Sequence, residues 1–219
     1  MDFDAPKTGR SYSDRIANES WSHWCEQHLN PVGRDIVDIG CGGGIYSRAF
    51  VDLGAASVTG IDGSSQYINE ARVAHAGAPK VSFVHGSASC SGLASACADV
   101  VFCRALIHHL SAGEQRDGAL EMRRLLRPGG LCAVQDRTAE DVESSDPAYW
   151  IRSSLFTLFP HLLEYERGRR PQRQDYAGIL ATAGFTTVRV VSFVETRKRY
   201  ASFAELETEI MTRKGKSIL

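Results

Sequence analysis

Apolar positions follow two alternating patterns over the first 136 residues of the chain. Short runs rich in β-branched residues predict five strands, at residues 35–40, 57–62, 80–85, 99–103 and 131–135. Stretches with apolar residues at helical spacing predict helices at residues 12–29, 45–53, 64–75 and 114–126. Alternation of this kind predicts an α/β fold with a doubly wound, mostly parallel sheet.

The alternation stops after the fifth predicted strand. Residues 138–171 contain an acidic stretch, several aromatic side chains and a cluster of arginines, and we interpret them as an inserted lid. A helix at 172–183, an alternating strand at 186–194 and a last helix at 202–212 are predicted to follow. The predicted organisation is a single domain over residues 1–219, divided into a lead-in helix at 12–30, a core at 35–136, the insertion at 138–171 and a C-terminal part at 172–219.

Composition agrees with a globular protein. The chain has 219 residues, of which 43% are hydrophobic, and its net charge of −1 does not imply a strongly charged partner. Because no apolar run could span a bilayer and the first ten residues lack an apolar signal segment, we expect a soluble, cytoplasmic protein with no membrane partner. The six cysteines occur singly, without zinc-site or redox spacing, so we expect no metal site.

The segment that carries chemistry is a glycine-rich turn between the first strand and the helix that follows it. It has the pattern Asp38-x-Gly40-x-Gly42-x-Gly44, which lets the backbone approach a nucleotide-like ligand beside a helix N-terminus. A dinucleotide-binding fingerprint that starts at Gly40 needs glycine at position 45, but residue 45 is Ile, which weakens the case for an NAD site. The turn also does not match the phosphate-binding loop, because no Gly-Lys-Ser/Thr follows it. Asp62 ends the second strand, where a carboxylate can accept hydrogen bonds from a ribose diol.

With two later motifs, the chain resembles the class I S-adenosylmethionine-dependent methyltransferases over residues 35–136. Residues 98–110 (ADVVFCRALIHHL) are similar to the family's fourth-strand segment, and residues 125–130 (LLRPGG) are similar to its turn before the fifth strand. The resemblance implies a Rossmann-like sheet of seven strands with a lid after strand 5, S-adenosylmethionine as cofactor, and methyl transfer to an O, N, S or C nucleophile.

The resemblance also implies which residues hold the donor. The glycine turn would pack on its methionine part, Asp62 would bind its ribose, and Arg104 would lie near its amino-acid end through the backbone carbonyl. The family's carboxylate after the third strand is replaced here by Gly86-Ser87-Ala88, where the Ser87 hydroxyl could accept from the adenine amino group. The candidate donor-binding residues are Asp38, Gly40, Cys41, Gly42, Asp62, Gly63, Ser64, Ser87, Ala88 and Arg104.

Candidate residues for the acceptor follow the fourth and fifth strands. His108, His109 and Asp136 are candidate bases, although one of two adjacent histidines should face the core and serve packing alone. Asp136-Arg137 ends the fifth strand and forms either an acceptor contact or a local ion pair. The candidate substrate contacts are Arg137, Arg169 and Arg170.

The sequence leaves other functions open. A non-catalytic module that binds S-adenosylmethionine or S-adenosylhomocysteine would keep the same donor residues. A nucleic-acid methyltransferase would use Arg167, Arg169, Arg170 and Arg173 on phosphates, but these arginines could equally pair with Glu164, Glu166 and Asp175. Because no Asn-Pro-Pro-Tyr/Phe or Pro-Cys motif follows the fourth strand, a small-molecule acceptor is favoured over nucleic acid.

Overall fold

A computed structural model describes residues 17–144, 146, 149–195 and 199–211 of the chain. Five strands form one sheet in the order β3-β2-β1-β4-β5, and all the pairs are parallel. The strands are β1 (Asp35–Ile39), β2 (Ser57–Asp62), β3 (Val81–His85), β4 (Ala98–Arg104) and β5 (Leu126–Gln135). The strand order reverses direction at β1, which places a ligand crevice at the carboxyl ends of β1 and β4.

Nine helices accompany the sheet in the part of the chain that the structure describes. They are α1 (Glu19–His28), α2 (Ile45–Asp52), α3 (Ser65–Ala74), α4 (Ala112–Leu125), α5 (Ala139–Glu143), α6 (Trp150–Leu158), α7 (Pro160–Gly168), α8 (Arg173–Thr182) and α9 (Phe203–Met211). A 3₁₀ turn at Ile107–His109 follows β4. Several helices begin at polar caps: the Asn18 and Ser64 side chains each accept a hydrogen bond from the first turn, and Ser111 and Glu114 form a capping box.

Apolar side chains cover both faces of the sheet. On one face Trp21, Phe50 and Phe102 are fully buried and pack edge to face, which attaches α1 and α2 to β4. On the other face Met122 and Leu125 of α4 pack in a cluster with apolar residues of β1, β2 and β4. A sheet covered on both faces explains why β4 is a continuous apolar run in the sequence. The predicted doubly wound α/β sheet is confirmed.

The predicted number of strands is wrong for the described residues, which form five strands and not seven. Residues 186–194, predicted to be a strand, are irregular. Their alternating valines have high strand propensity, but that propensity reflects packing against neighbouring strands. Here Val190 is 52% exposed and Val194 is 56% exposed, so these side chains lack that packing and β5 remains the edge of the sheet.

The structure also places the Pro128-Gly129-Gly130 segment differently from the prediction. It was predicted to be a turn before a strand at 131–135, but β5 runs back through it to Leu126, with a register shift between Ala98 and Val100 of β4. Gly129 has a φ of +80°, which glycine adopts without strain. Because residues 127–130 have no pairing partner in β4, the missing N–H of Pro128 costs no ladder hydrogen bond.

The predicted lead-in helix corresponds to α1, which begins at Glu19; residues 12–16 lie outside the described residues, and so does Thr212 of the last predicted helix. Within the predicted insertion, the described residues form α5, α6 and α7.

Candidate active site

The candidate active site lies where four parallel strands end at the same edge of the sheet. Ile39 pairs with Ile61 of β2 on one side and with Cys103 of β4 on the other, and Arg104 pairs with Gln135 of β5. The segments that follow these strands are therefore neighbours. They carry most of the residues that the sequence singled out.

The glycine loop after β1 is attached to the end of β2 through its backbone. Gly40 N and Cys41 N both donate to the Ile61 carbonyl, at 2.7 and 2.9 Å. Gly42 has a φ of +52°, and a Cβ built there would meet no atom within 4 Å. The loop therefore borders open space at Gly42, which a side chain at this position would enter.

Asp62 joins two segments of this loop region. Its Oδ2 accepts from Gly42 N at 2.8 Å, and its Oδ1 accepts from Ser64 N at 2.9 Å, while the Ser64 side chain caps α3. Asp62 therefore fixes the backbone of the glycine loop against the start of α3, with its carboxylate at the end of β2.

Asp38 lies inside the protein, at the end of β1. It is 2% exposed, and its Oδ2 accepts from the Ser47 hydroxyl at 2.6 Å. Burial raises the pKa of Asp38 to about 6, in spite of the hydrogen bond from Ser47. Ser47, on α2, was not singled out in the sequence, because a serine within an amphipathic helix carries no signal of a buried partner.

The segment after β3 is more exposed. Ser87 is exposed, with its hydroxyl 3.3 Å from that of Ser89, whereas Ala88 is half-buried and packs beside the cluster on the α4 face. The His85 Nε2 atom lies 3.0 Å from the Gly63 carbonyl and links this segment to the end of β2.

Arg104 ends β4 with its side chain engaged. Its Nη2 donates to Glu195 at 2.5 Å, and its guanidinium lies 4.3 Å from the centre of the Tyr46 ring. The Tyr46 hydroxyl also donates to Glu195, at 3.1 Å. Sequence analysis identified neither Tyr46 nor Glu195, since residues 149 positions apart show no pattern that would pair them.

His108 and Asp136 form a buried pair at the ends of β4 and β5. The His108 Nδ1 atom lies 2.8 and 2.9 Å from the two carboxylate oxygens, and the side chains are 5% and 2% exposed. Burial opposes ionisation of Asp136, but the hydrogen bond from His108 and the positive charges around it hold the pKa of this carboxyl below its usual value. An ionised carboxylate only accepts, so Nδ1 carries the proton and Nε2 of the neutral ring is a proton acceptor.

The neutral state of His108 is favoured by its surroundings. Burial lowers the pKa of His108 more than the hydrogen bond to Asp136 raises it, and the charges of Arg170 and Arg169 lower it further. His109 stacks beside it with ring centres 4.0 Å apart. Burial, followed by the charges of His108 and Arg169, lowers the pKa of His109 to about 4.

Two of the arginines predicted to contact the substrate, Arg169 and Arg170, instead pair with carboxylates of the protein. Arg170 donates to Asp136 at 3.2 Å and to Glu166 at 2.7 Å, and its side chain is fully buried. Arg169 pairs with Glu166 and lies 3.5 Å from the His109 Nδ1 atom. Arg137 follows Asp136 and donates its backbone N–H to that carboxylate at 2.8 Å. Glu166 was considered in the sequence only as a partner of surface arginines; its spacing of three and four residues from Arg169 and Arg170 was the available signal.

The described part of the chain contains no group of three or more His, Cys, Asp or Glu side chains placed to hold a metal ion. None of its helices is both long enough and apolar enough to cross a membrane.

Comparisons with known proteins place these features in a family. The methyltransferase-domain family model matches residues 36–130. An uncharacterised methyltransferase of Synechocystis sp. is 26% identical over 157 residues, which is 72% of this chain and 69% of the relative. The mitochondrial ubiquinone biosynthesis O-methyltransferase of Schizosaccharomyces pombe is 37% identical over 103 residues, but these cover 45% of this chain and only 36% of the relative.

A solved structure agrees with the fold over nearly the whole chain. The S-adenosylmethionine-dependent methyltransferase of Aquifex aeolicus superposes with a TM-score of 0.61 and 19% identity, covering 87% of this chain and 89% of the other.

The parallel sheet, the glycine loop beside Asp62 and the matched domain define the class as a Rossmann-like methyltransferase. The methyltransferase-domain family matches residues 36–130, and the fold is that of S-adenosylmethionine-dependent methyltransferases, enzymes that use S-adenosylmethionine as cofactor. The resemblance found in the sequence is confirmed.

Proposed function

We propose that this enzyme transfers a methyl group from S-adenosylmethionine to a hydroxyl group of a small molecule, with His108 as the general base and Asp136 as its orienting partner. The observation that carries the proposal is the His108 to Asp136 hydrogen bond of 2.8 Å at the ends of β4 and β5, one strand away from the glycine loop. Ligands of doubly wound sheets bind at this edge.

The residues around the glycine loop fit the donor. The space beside Gly42 leaves room for a ligand in contact with the backbone, and Asp62 at the end of β2 is the acidic residue placed to accept hydrogen bonds from a ribose diol. In this assignment Gly40, Cys41, Gly63 and Ser64 line the site, and the backbone of Arg104 faces the amino-acid end. When bound, the donor supplies a methyl group on a sulfonium, so that the acceptor oxygen bonds to the methyl carbon while the carbon–sulfur bond breaks and its electron pair stays on sulfur.

His108 performs the proton transfer in this scheme. Its unprotonated Nε2 takes the proton of the acceptor hydroxyl, and the Asp136 carboxylate at Nδ1 stabilises the imidazolium that results. A positioned base of this kind contributes about 10²- to 10⁴-fold in rate. Most of the remaining task is alignment of the acceptor and exclusion of water.

The segment of residues 138–171 is assigned to cover the acceptor. Its helix α7 carries Glu166 and is followed by Arg170, and both contact the cluster around Asp136, so the segment borders the proposed base. Aromatic side chains on the same segment include Phe156, which is 5% exposed, and Tyr165, which is 59% exposed. Such a segment is suited to enclosing a small molecule.

Two observations favour a small-molecule acceptor over nucleic acid. Arg167 pairs with Glu143 at 2.7 Å, and Arg169 and Arg170 pair with Glu166, so these arginines are engaged within the protein. The Schizosaccharomyces pombe relative is an O-methyltransferase by name. A buried histidine–carboxylate pair also favours turnover over a module that only binds the donor, because donor binding alone requires no base.

The test compares His108→Gln with His109→Gln. We expect His108→Gln to lower kcat by about 10²-fold or more while the affinity for S-adenosylhomocysteine, measured by calorimetry, stays unchanged. The variant of the adjacent residue, His109→Gln, should show a much smaller decrease in kcat. Equal rates for His108→Gln and the unmodified enzyme would rule out His108 as the base.

A further inference from the structure

Three buried charged side chains, those of Asp136, Arg170 and Glu166, form a continuous network behind the proposed base. His108 contacts Asp136, Asp136 accepts from Arg170, and Arg170 donates through Nε and Nη2 to a single oxygen of Glu166, at 3.1 and 2.7 Å. The side chains of Glu166 and Arg170 are 2% and 0% exposed. The network of side chains therefore extends from the turn after β4, through the end of β5, to helix α7.

We propose that Glu166 and Arg170 are positioning residues for this reaction: Arg170 holds the Asp136 carboxylate against His108, and Glu166 holds Arg170 and balances its charge. The inference rests on the proposed function, because it assigns the two residues to the same dyad. Neither residue needs to touch donor or acceptor.

The energetics of burial argue against packing as the sole role of the pair. Desolvating two charges is expensive, and apolar side chains of similar volume often fill such a place at equal or better stability. Here the guanidinium bridges two carboxylates that come from different segments of the chain. Its geometry orients Asp136, whose other contacts include the backbone N–H of Arg137 at 2.8 Å.

Charge balance gives the pair a measurable role. With His108 neutral, the negative charges of Asp136 and Glu166 equal the positive charges of Arg169 and Arg170. Protonation of His108 adds one positive charge to a buried cluster. Loss of Glu166 should therefore disfavour the imidazolium, and loss of Arg170 should favour it.

Other titratable groups also lie near His108 and affect its pKa. His109 stacks on the His108 ring. Tyr176 of α8 lies near Asp136: burial raises the pKa of the Tyr176 phenol most, and the charge of Asp136 raises it further. The titratable and charged groups around His108 are thus His109, Asp136, Glu166, Arg169, Arg170 and Tyr176. The variants below leave His109, Asp136, Arg169 and Tyr176 in place.

The experiment is an NMR titration of the His108 ring in the full chain, without donor or acceptor. His108 is assigned by comparison with the spectrum of His108→Gln. We expect Glu166→Gln to lower the pKa of His108 by about 1, and Arg170→Gln to raise it by about 1. The matched control is Glu143→Gln, which removes an exposed partner of Arg167 on the neighbouring helix and should leave the pKa unchanged.

The Glu166→Gln variant keeps the pair of Arg170 with Asp136, and the Arg170→Gln variant keeps the pair of Arg169 with Glu166. Each single variant therefore retains one ion pair of the cluster. If one of the single variants fails to fold, the other still decides the question, because a His108 pKa equal to that of the unmodified protein in that variant overturns the inference. A pKa that does not move in the single variants, or that moves in the same direction in both, overturns the inference. Because no methyl transfer is measured, a failed base assignment and a failed positioning role give separate results.

Discussion

At the scale of a single residue, Asp62 has one observed role and one proposed role. Its carboxylate already accepts from Gly42 N and Ser64 N, which fixes the glycine loop against the start of α3. The same carboxylate is the group that we assign to the donor ribose. A preformed loop lowers the cost of ordering the site when the donor binds.

Asp62→Ala should therefore weaken the binding of S-adenosylhomocysteine by about ten- to a hundredfold, since a charged hydrogen-bond acceptor contributes ~1.5 to 3 kcal/mol. Calorimetric titration measures the change. Asp52→Ala, which removes an exposed carboxylate paired with Arg48, is the control and should bind normally. Unaltered affinity in a folded Asp62→Ala protein would remove Asp62 from the donor site.

Individual residues were predictable where the strand pattern and the chemistry coincide. Asp38, Gly42 and Asp62 lie at or next to the carboxyl ends of predicted strands, and parallel strands bring those ends together. Ser47 and Glu195 were not predictable, because their contacts depend on a helix rotation and on a long-range approach. Glu166 carried the correct partners in its helical spacing, but only the structure shows that these charges are buried.

At the scale of elements, α5 and α7 behave as a unit attached to the active-site edge. Thr138 and Asp141 form a capping box at the start of α5, and the Glu143 to Arg167 pair joins α5 to α7. The attachment of α7 to the sheet includes the Arg170 contact with Asp136. The Glu143 to Arg167 pair is exposed and therefore weak, so α5 can separate from α7 while the buried Arg170 contact stays in place.

Amide hydrogen exchange of α5, α6 and α7 should slow when S-adenosylhomocysteine and an acceptor are both bound, because a cover closes over its ligand. Exchange mass spectrometry measures the effect, with β4 as the internal reference. If these helices are as protected as β4 without any ligand, they are ordinary core, and the acceptor site must be sought at α1.

The elements themselves were largely predictable. Apolar periodicity located α2, α3 and all five strands, which have buried apolar residues, and it also located α8, which has no fully buried residue. The failure at residues 186–194 has a simple cause: alternating valines indicate a strand, but a strand also requires a partner, and β5 remains the sheet edge there.

At the scale of the whole molecule, function follows from what the strand order brings together. Because β1 lies between β2 and β4, the glycine loop after β1 lies beside Asp62 on one side and beside the turn that carries His108 on the other. The order of the motifs along the sequence was sufficient to predict the family and the donor. The inward-facing arginines were not predictable, since an Arg-rich stretch has the same composition whether its side chains contact solvent or buried carboxylates.

The most direct test of the account is incubation of the enzyme with donor labelled in its transferable methyl group and a panel of small hydroxyl, amine and carboxylate compounds, with nucleic acid as a further candidate. If the proposed methyl transfer is correct, we expect the label to appear in a hydroxyl compound, with one equivalent of S-adenosylhomocysteine released for each methyl group transferred. Saturable donor binding without transfer to any small molecule, or label found in nucleic acid, would contradict it.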